Sequence, residues 1–197
     1  SMFRKSELVK VIIHQKSKNA LYLISSKDYQ KYLTVSNENG TLIIKNKYDF
    51  RIHEKNELVI YIAAPDFKKL DIEGPFSIET QTMIKGEKLE IEFSGIIEAQ
   101  MEFDYQTLNS EIEGVFDVNF KGKAVTAALS VDGIGQFDAR KLNVENLTAD
   151  VSGIGDASFY ANKTVRTNAS GIGNVFVSGN ATEVSRNVSG IGNVVVK

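Results

Sequence analysis

The feature that most constrains this chain is a glycine phrase written four times. It reads DGIGQFDA at 132–139, SGIGDASF at 152–159, SGIGNVFV at 170–177 and SGIGNVVV at 189–196. Alignment on the first glycine extends the series backwards through IEGVFDVNF, FSGIIEAQM and IEGPFSIET. The full series is Gly74, Gly95, Gly114, Gly133, Gly153, Gly171 and Gly190, at steps of 21, 19, 19, 20, 18 and 19 residues. Chance does not hold such a register from residue 74 to residue 190. A step near 20 residues means a stacked repeat.

The aligned columns say which kind. Two residues before the glycine stand Ile72, Phe93, Ile112, Val131, Val151, Ala169 and Val188. Four after it stand Ile78, Ala99, Val118, Phe137, Ala157, Val175 and Val194, and six before it Leu89, Leu108, Ala127, Leu147, Val165 and Val184. Polar columns lie between. Alternation at period two, as in LEIEF (89–93), is the pattern of a strand with one buried face. The position after the glycine is also apolar (Ile134, Ile154, Ile172, Ile191), an odd three residues from the column at two before. A straight strand cannot point both inward. The chain is therefore expected to turn a corner at each glycine, which tolerates positive φ. With coils about 4.8 Å apart, the four isoleucines are expected to form an internal ladder.

Residues 1–65 do not follow this register. They read as short strands at 8–14, 20–25, 32–36, 41–45 and 57–64, with ENGT (38–41) as a hairpin turn. The expected fold is all-β: a single-stranded parallel β-helix of about seven coils of 18–21 residues. It occupies 67–197 behind a β-rich N-terminal part at 1–66, either irregular coils or a cap, and the two parts are expected to form one continuous domain. The handedness of parallel crossovers predicts a right-handed winding.

Composition bounds the function. A chain of 197 residues, 42% hydrophobic and 24% charged, is globular. A net charge of −2 argues against a dedicated nucleic-acid binder. The absence of cysteine removes thiolate chemistry and disulfides. No apolar run approaches the length of a membrane span. No leader is visible at SMFRKSELVK, and Ser1 ahead of Met2 reads as a non-native remnant of cloning. A native leader or lipid-modified cysteine is expected to have been trimmed away, so its absence says little about whether the protein is exported, periplasmic or at the cell surface.

The phrase S-G-I-G-N-V resembles the "putative auto-transporter adhesin, head GIN domain" family, a domain of unknown function common in Bacteroidetes. VKVIIHQ (9–15), YLTVSNENGTLIIK (32–45) and LVIYIAAPDFKKLDIEG (58–74) resemble its N-terminal half, and the glycine coils its second half. The phrases around Gly74, Gly95 and Gly114 depart from the pattern. The resemblance implies a β-helical, exported or envelope-associated protein with an adhesive role, and it supplies no catalytic residues.

The chemical alternatives are weaker. A phosphate-binding fingerprint needs a third glycine and a helix, whereas Phe176 and a strand follow Gly173. A calcium roll needs repeated aspartates, and only Asp156 fits, with Gln136, Asn174 and Asn193 in its column. A looser calcium reading rests on Asp71, Glu73, Glu92, Glu111, Glu113, Asp132 and Asp150, expected on one outward face. Stacked like charges repel, and a hard cation with oxygen ligands would relieve them. A solvated acidic face with screened charges is the favoured account.

His14 and His53 stand alone, so no zinc site is expected, and nothing points to a catalytic triad. Lys121, Lys123, Arg140 and Lys141 could line a polysaccharide groove, although such a scatter reads first as surface. Phe103, Tyr105 and Tyr160 are candidates for sugar stacking, with partial burial the favoured fate. Six N-x-S/T sequons, at Asn39, Asn146, Asn162, Asn168, Asn180 and Asn187, read as turn and ladder residues.

The expected function is a non-enzymatic envelope or surface module with adhesin-like binding to a glycan or a protein. No cofactor is expected. The apolar GNVVVK end (192–197) is a candidate edge for self-association. The alternatives are a purely structural module with a protein partner and, less favoured, a polysaccharide-acting enzyme.

Overall fold

A computed structural model describes residues 8–25, 30–46 and 58–197. His53 and Glu57 lie outside the described residues. Almost every described residue of the second half is strand, and no α-helix occurs among them. The chain is a β-solenoid of about six turns. Seven corner glycines bound six full turns, which accounts for the difference from the expected seven coils.

Strand β6 (Lys69–Thr80) begins the regular stack. It lies parallel on β7 (Ile84–Ile154), which runs as extended strand through 71 residues, with irregular pairing to the next coil between Ala139 and Asn146. The register is Ile72↔Phe93, Gly74↔Gly95 and Ile78↔Ala99. β8 (Ala157–Ile172) continues upward with Leu147↔Val165 and Ile154↔Ile172. β9 (Val175–Ser178) and β10 (Glu183–Ile191) both stack on β8, and β11 (Val194–Val196) stacks on β9. The sequence repeat is thus a spatial ladder, like on like.

The N-terminal strands extend this stack. β4 (Thr41–Asn46) lies parallel beneath the first half of β6, and β1 (Val9–Gln15) beneath the second half. Two pieces distant in sequence stand where one coil would. β5 (Val59–Ala64) adds in parallel to β1, and β2 (Ala20–Ile24) adds antiparallel to β5. β3 (Leu33–Glu38) forms an antiparallel hairpin with β4, closed by Glu38↔Thr41. Its turn residues Asn39 (φ 51°) and Gly40 (φ 81°) both take positive φ, as a type I′ hairpin demands. Hydrogen bonding therefore crosses the 66/67 boundary without interruption.

Why glycine recurs is a matter of close approach. All seven first glycines have positive φ, from 102° at Gly153 to 143° at Gly190. A Cβ on Gly95 would lie 2.5 Å from the carbonyl oxygen of Gly74 one coil below. On Gly114, Gly133, Gly153, Gly171 and Gly190 it would come closer still to the glycine beneath. Each glycine leaves room for the next.

The isoleucine ladder is not internal. Ile134, Ile154, Ile172 and Ile191 are 45%, 51%, 53% and 73% exposed. In these coils the residue after the isoleucine is a second glycine with positive φ, so the side chain between the two is turned to solvent. The inward position is two after the first glycine. Phe76, Ile97 and Phe116 fill it in the earlier coils and are buried, and Gly135, Gly155, Gly173 and Gly192 occupy it later. The inward columns at two before and two after are an even four residues apart, so the alternation keeps phase there.

Inside, Phe103, Phe120, Phe137 and Phe159 stack up the axis with centroid separations of 4.9, 5.3 and 5.6 Å. These distances suit favourable aromatic pairs. Ser110 interrupts the neighbouring inward column between Ile91 and Leu129, and its buried hydroxyl has no hydrogen-bond partner.

Two outcomes follow in urea denaturation. Gly153→Ala forces a Cβ into strained backbone against Gly133 and is expected to cost at least about 2 kcal/mol; a loss below about 0.5 kcal/mol would contradict the close-approach account. Ser110→Ala removes an unpaired buried hydroxyl and is expected to stabilise by about 1 kcal/mol.

Candidate functional site

Two outward surfaces carry the polar residues singled out in the sequence. On the first, Asp71 pairs in register with Glu92, and Lys45 with Glu73. By the repeat, Asp71, Glu92, Glu111 and Asp150 share one column, and Glu73, Glu113 and Asp132 another two residues on. All seven carboxylates reach solvent. They are partly compensated: Lys69 Nζ lies 3.3 Å from Glu92, Lys45 Nζ lies 3.8 Å from Glu73, and Asn168 Nδ2 donates to Asp150 at 2.7 Å. The face is two extended rows. No group of three or more acids or histidines converges on one point among the described residues.

The second surface is a groove of about 450 Å³ across the neighbouring face. Glu79, Gln100, Asn119 and Asp138 climb it one per coil, and Glu102, Lys121 and Arg140 climb beside them. The buried side chains of Met101 and Phe120 support it from within. Strand alternation produces this arrangement: Met101, Phe103 and Phe120 point into the core while Gln100, Glu102, Asn119 and Lys121 point out.

Its charges are ordered in pairs. Arg140 grips Asp138 with Nε to Oδ1 at 3.0 Å and Nη2 to Oδ2 at 2.6 Å, and its backbone N–H donates to Oδ1 at 3.1 Å. Lys121 Nζ lies 3.5 Å from Glu102, and Lys10 Nζ lies 3.3 Å from Glu79. Thr80 Oγ1 accepts the Glu102 N–H at 2.9 Å. The hydrogen bond from the Arg140 side chain holds the Asp138 carboxyl below the ordinary carboxylate range, against the opposing effect of partial burial; Lys141 adds a smaller attraction. A carboxylate held anionic in this way is poorly suited to give up a proton as a general acid. The groove offers instead fixed donors and acceptors on a stiff sheet.

Of the four cations named in the sequence, Lys121, Arg140 and Lys141 line this groove. Lys123 turns to Asp104, 3.6 Å away. The carboxamides Gln100 and Asn119 were not singled out, although the column five residues after each glycine contains them. The aromatic candidates are corrected: Phe103 and Tyr105 are buried, and the Tyr105 hydroxyl donates to the Phe67 carbonyl at 2.8 Å. Burial, with the nearby Asp66 charge, pushes the Tyr105 phenol well up. Tyr160 is half-buried. Among the described residues the exposed aromatics are Tyr22 and Phe176. His14 shares a 2.7 Å hydrogen bond with the Tyr61 hydroxyl. The sequon residues Asn146, Asn162 and Asn168 bond between coils to Thr164, Asn143 and Asp150.

The Asp138–Arg140 pair makes a pH prediction. Because the folded-state pKa of Asp138 is depressed, the stabilisation it contributes is present above the unfolded carboxylate pKa and is lost as pH falls through the folded value. Arg140→Gln is expected to return the Asp138 carboxyl toward its ordinary range in an NMR titration. An unchanged titration would show that the ion pair does not form in solution.

Comparison with solved structures gives the same architecture over nearly the whole chain. A putative adhesin from Bacteroides fragilis NCTC 9343 superposes with a TM-score of 0.88 at 22% identity, covering 96% of this chain and 88% of that one. A protein described as a putative lipid binding protein from Parabacteroides distasonis ATCC 8503 gives 0.66 at 18% identity, covering 99% and 94%. A putative adhesin from Parabacteroides merdae ATCC 43184 gives 0.60 at 15%, covering 97% and 89%. Comparison with curated proteins finds no match. No described helix is long and apolar enough to cross a membrane. The family model described as "Putative auto-transporter adhesin, head GIN domain" matches residues 4–181, and the chain belongs to that family.

Proposed function

We propose that the protein is a non-enzymatic binding module of the bacterial cell envelope or surface, exported from the cytoplasm, and that the groove over Gln100 and Asn119 holds a glycan. The observation that carries this is the groove itself. Amide and paired ionic side chains repeat along it once per coil, about 4.8 Å apart, on a stacked parallel sheet. Sugar hydroxyls both donate and accept, and the outward carboxamides of Gln100 and Asn119 match them beside the held Asp138–Arg140 and Glu102–Lys121 pairs. A rigid scaffold keeps the ordering cost on binding low. The family description, an adhesin, fits this role.

A second reading, contact with a lipid surface, is favoured by the outward isoleucine ladder and by the exposed Phe176. One structural neighbour is described as a lipid binding protein. The acidic rows around Asp71, Glu92 and Glu111 are read as a solvated face rather than as the glycan contact, with weak calcium binding there as the alternative.

A glycan-array screen with and without calcium tests the reading, with vesicle co-sedimentation alongside. Saturable binding to a glycan class is expected. Gln100→Ala combined with Asn119→Ala should weaken it at least about tenfold, the equivalent of about 1.4 kcal/mol, while the circular dichroism spectrum is unchanged. Asp71→Asn combined with Glu92→Gln should remove only a calcium-dependent part. Vesicle binding without glycan binding would favour the lipid reading. A clean negative in every arm would leave a structural module with a protein partner.

A further inference from the structure

The inward column four residues before each glycine holds Leu70, Ile91, Ser110, Leu129, Ala149 and Thr167, all buried. Leu70 pairs in register with Ile91, Ala149 with Thr167, and Thr167 with Arg186. The next member of an apolar column is therefore a permanently charged arginine. The change is graded over the last three coils, from alanine to threonine to arginine. Thr167 turns its hydroxyl to the Ser185 carbonyl (3.4 Å). Arg186 sends Nη1 to the Val194 carbonyl (3.5 Å). Val194 belongs to β11, which stacks on β9, while Arg186 belongs to β10, which stacks on β8. The guanidinium therefore lies across the coil from one wall to another.

We propose that Arg186 guards the upper edge of β10: it covers the interior at this coil and prevents a coil of a second copy from adding to β10. The physical reason is desolvation. A coil stacked on β10 would seal the guanidinium into a column of aliphatic side chains. An ion buried there without an acidic partner costs several kcal/mol even after relaxation. Two copies meeting through β10 about a two-fold axis, with inward faces aligned and Arg186 at the centre, would set arginine against arginine. An inward-pointing charge is a known device against edge pairing. It has work to do here, because Val184 and Val188 on the same strand are 40% and 46% exposed. Among the described residues, nothing pairs with the upper edge of β10. The apolar edge expected at GNVVVK as a self-association contact is thus guarded from the neighbouring strand.

The test is sedimentation velocity over a concentration series. The full chain is compared with Arg186→Thr, which inserts the residue of the coil below, and with Arg186→Gln, which keeps length and polarity without charge. Arg166→Thr, on the outward face of β8, controls for the loss of one positive charge. The parent chain and the Arg166 variant are expected to remain monomeric. Both Arg186 variants should associate, with an association constant raised on the order of tenfold or more. Circular dichroism verifies that each variant is folded. If a folded Arg186 variant stays monomeric across the series, or if the parent chain already associates through this end, the proposal is overturned. Neither outcome touches the glycan reading, which concerns a different face.

Discussion

Backbone contact between successive glycines is the constraint on which the rest of this structure depends. From Gly95 to Gly190, each first glycine sits against the glycine one coil below, so closely that a single methyl group would strike a carbonyl oxygen. The extended chain can therefore pass through the corner as strand, as it does along the 71 residues of β7. A side chain at these positions would push the coils apart and cost the backbone hydrogen bonds on either side. Buried backbone groups left without partners are expensive, so the glycine column protects the whole sheet.

Once coils lie in register, every column of the sequence becomes a row in space. Inside, this aligns Phe103, Phe120, Phe137 and Phe159 as an aromatic stack. Outside, it aligns like charges, which would repel if left alone. Away from the acidic row of Asp71, Glu92 and Glu111, several columns meet this by placing acids beside amides and cations, as in Asp150 with Asn168, Glu145 with Lys163 (2.8 Å) and Glu102 with Lys121. Most of these pairs are exposed, and such pairs contribute little to stability one by one. Their effect is to fix the orientation of outward groups. A surface of oriented donors and acceptors is the property that a binding face needs.

The two halves of the molecule solve the same problem differently. In the regular coils one continuous chain supplies each layer. Near the N-terminus β4 and β1 together supply a layer, and the antiparallel strands β2 and β3 lie beyond it. An antiparallel strand does not continue the helical path, so the repeat stops there. At the other end the inward column itself becomes polar. The solenoid thus changes its chemistry at both ends while its interior remains apolar.

Much of the fold was legible in the sequence because backbone demands are local. Glycine at a near-constant step, period-two alternation and the ENGT turn each follow from φ preference or strand pleat. They led to the solenoid, to its stacking register and to the hairpin of β3 and β4. The directions of particular side chains were less legible. Ile134 and its equivalents are apolar and were expected inside; the second glycine turns them out, a consequence of two successive positive-φ corners. Phe103 and Tyr105 were candidates for sugar contact, and only the closed coil shows that they form its core. Lys121, Arg140 and Lys141 were visible as a cluster of charge. Their meeting with Gln100 and Asn119 in one groove, and the departure of Lys123 toward Asp104, depended on how coils stack. The sequence by itself determined the period, the strands and the corners, since these depend on neighbours within a few residues. Only the tertiary structure decided which columns face solvent and which of them meet, because that depends on contacts between residues one whole coil apart.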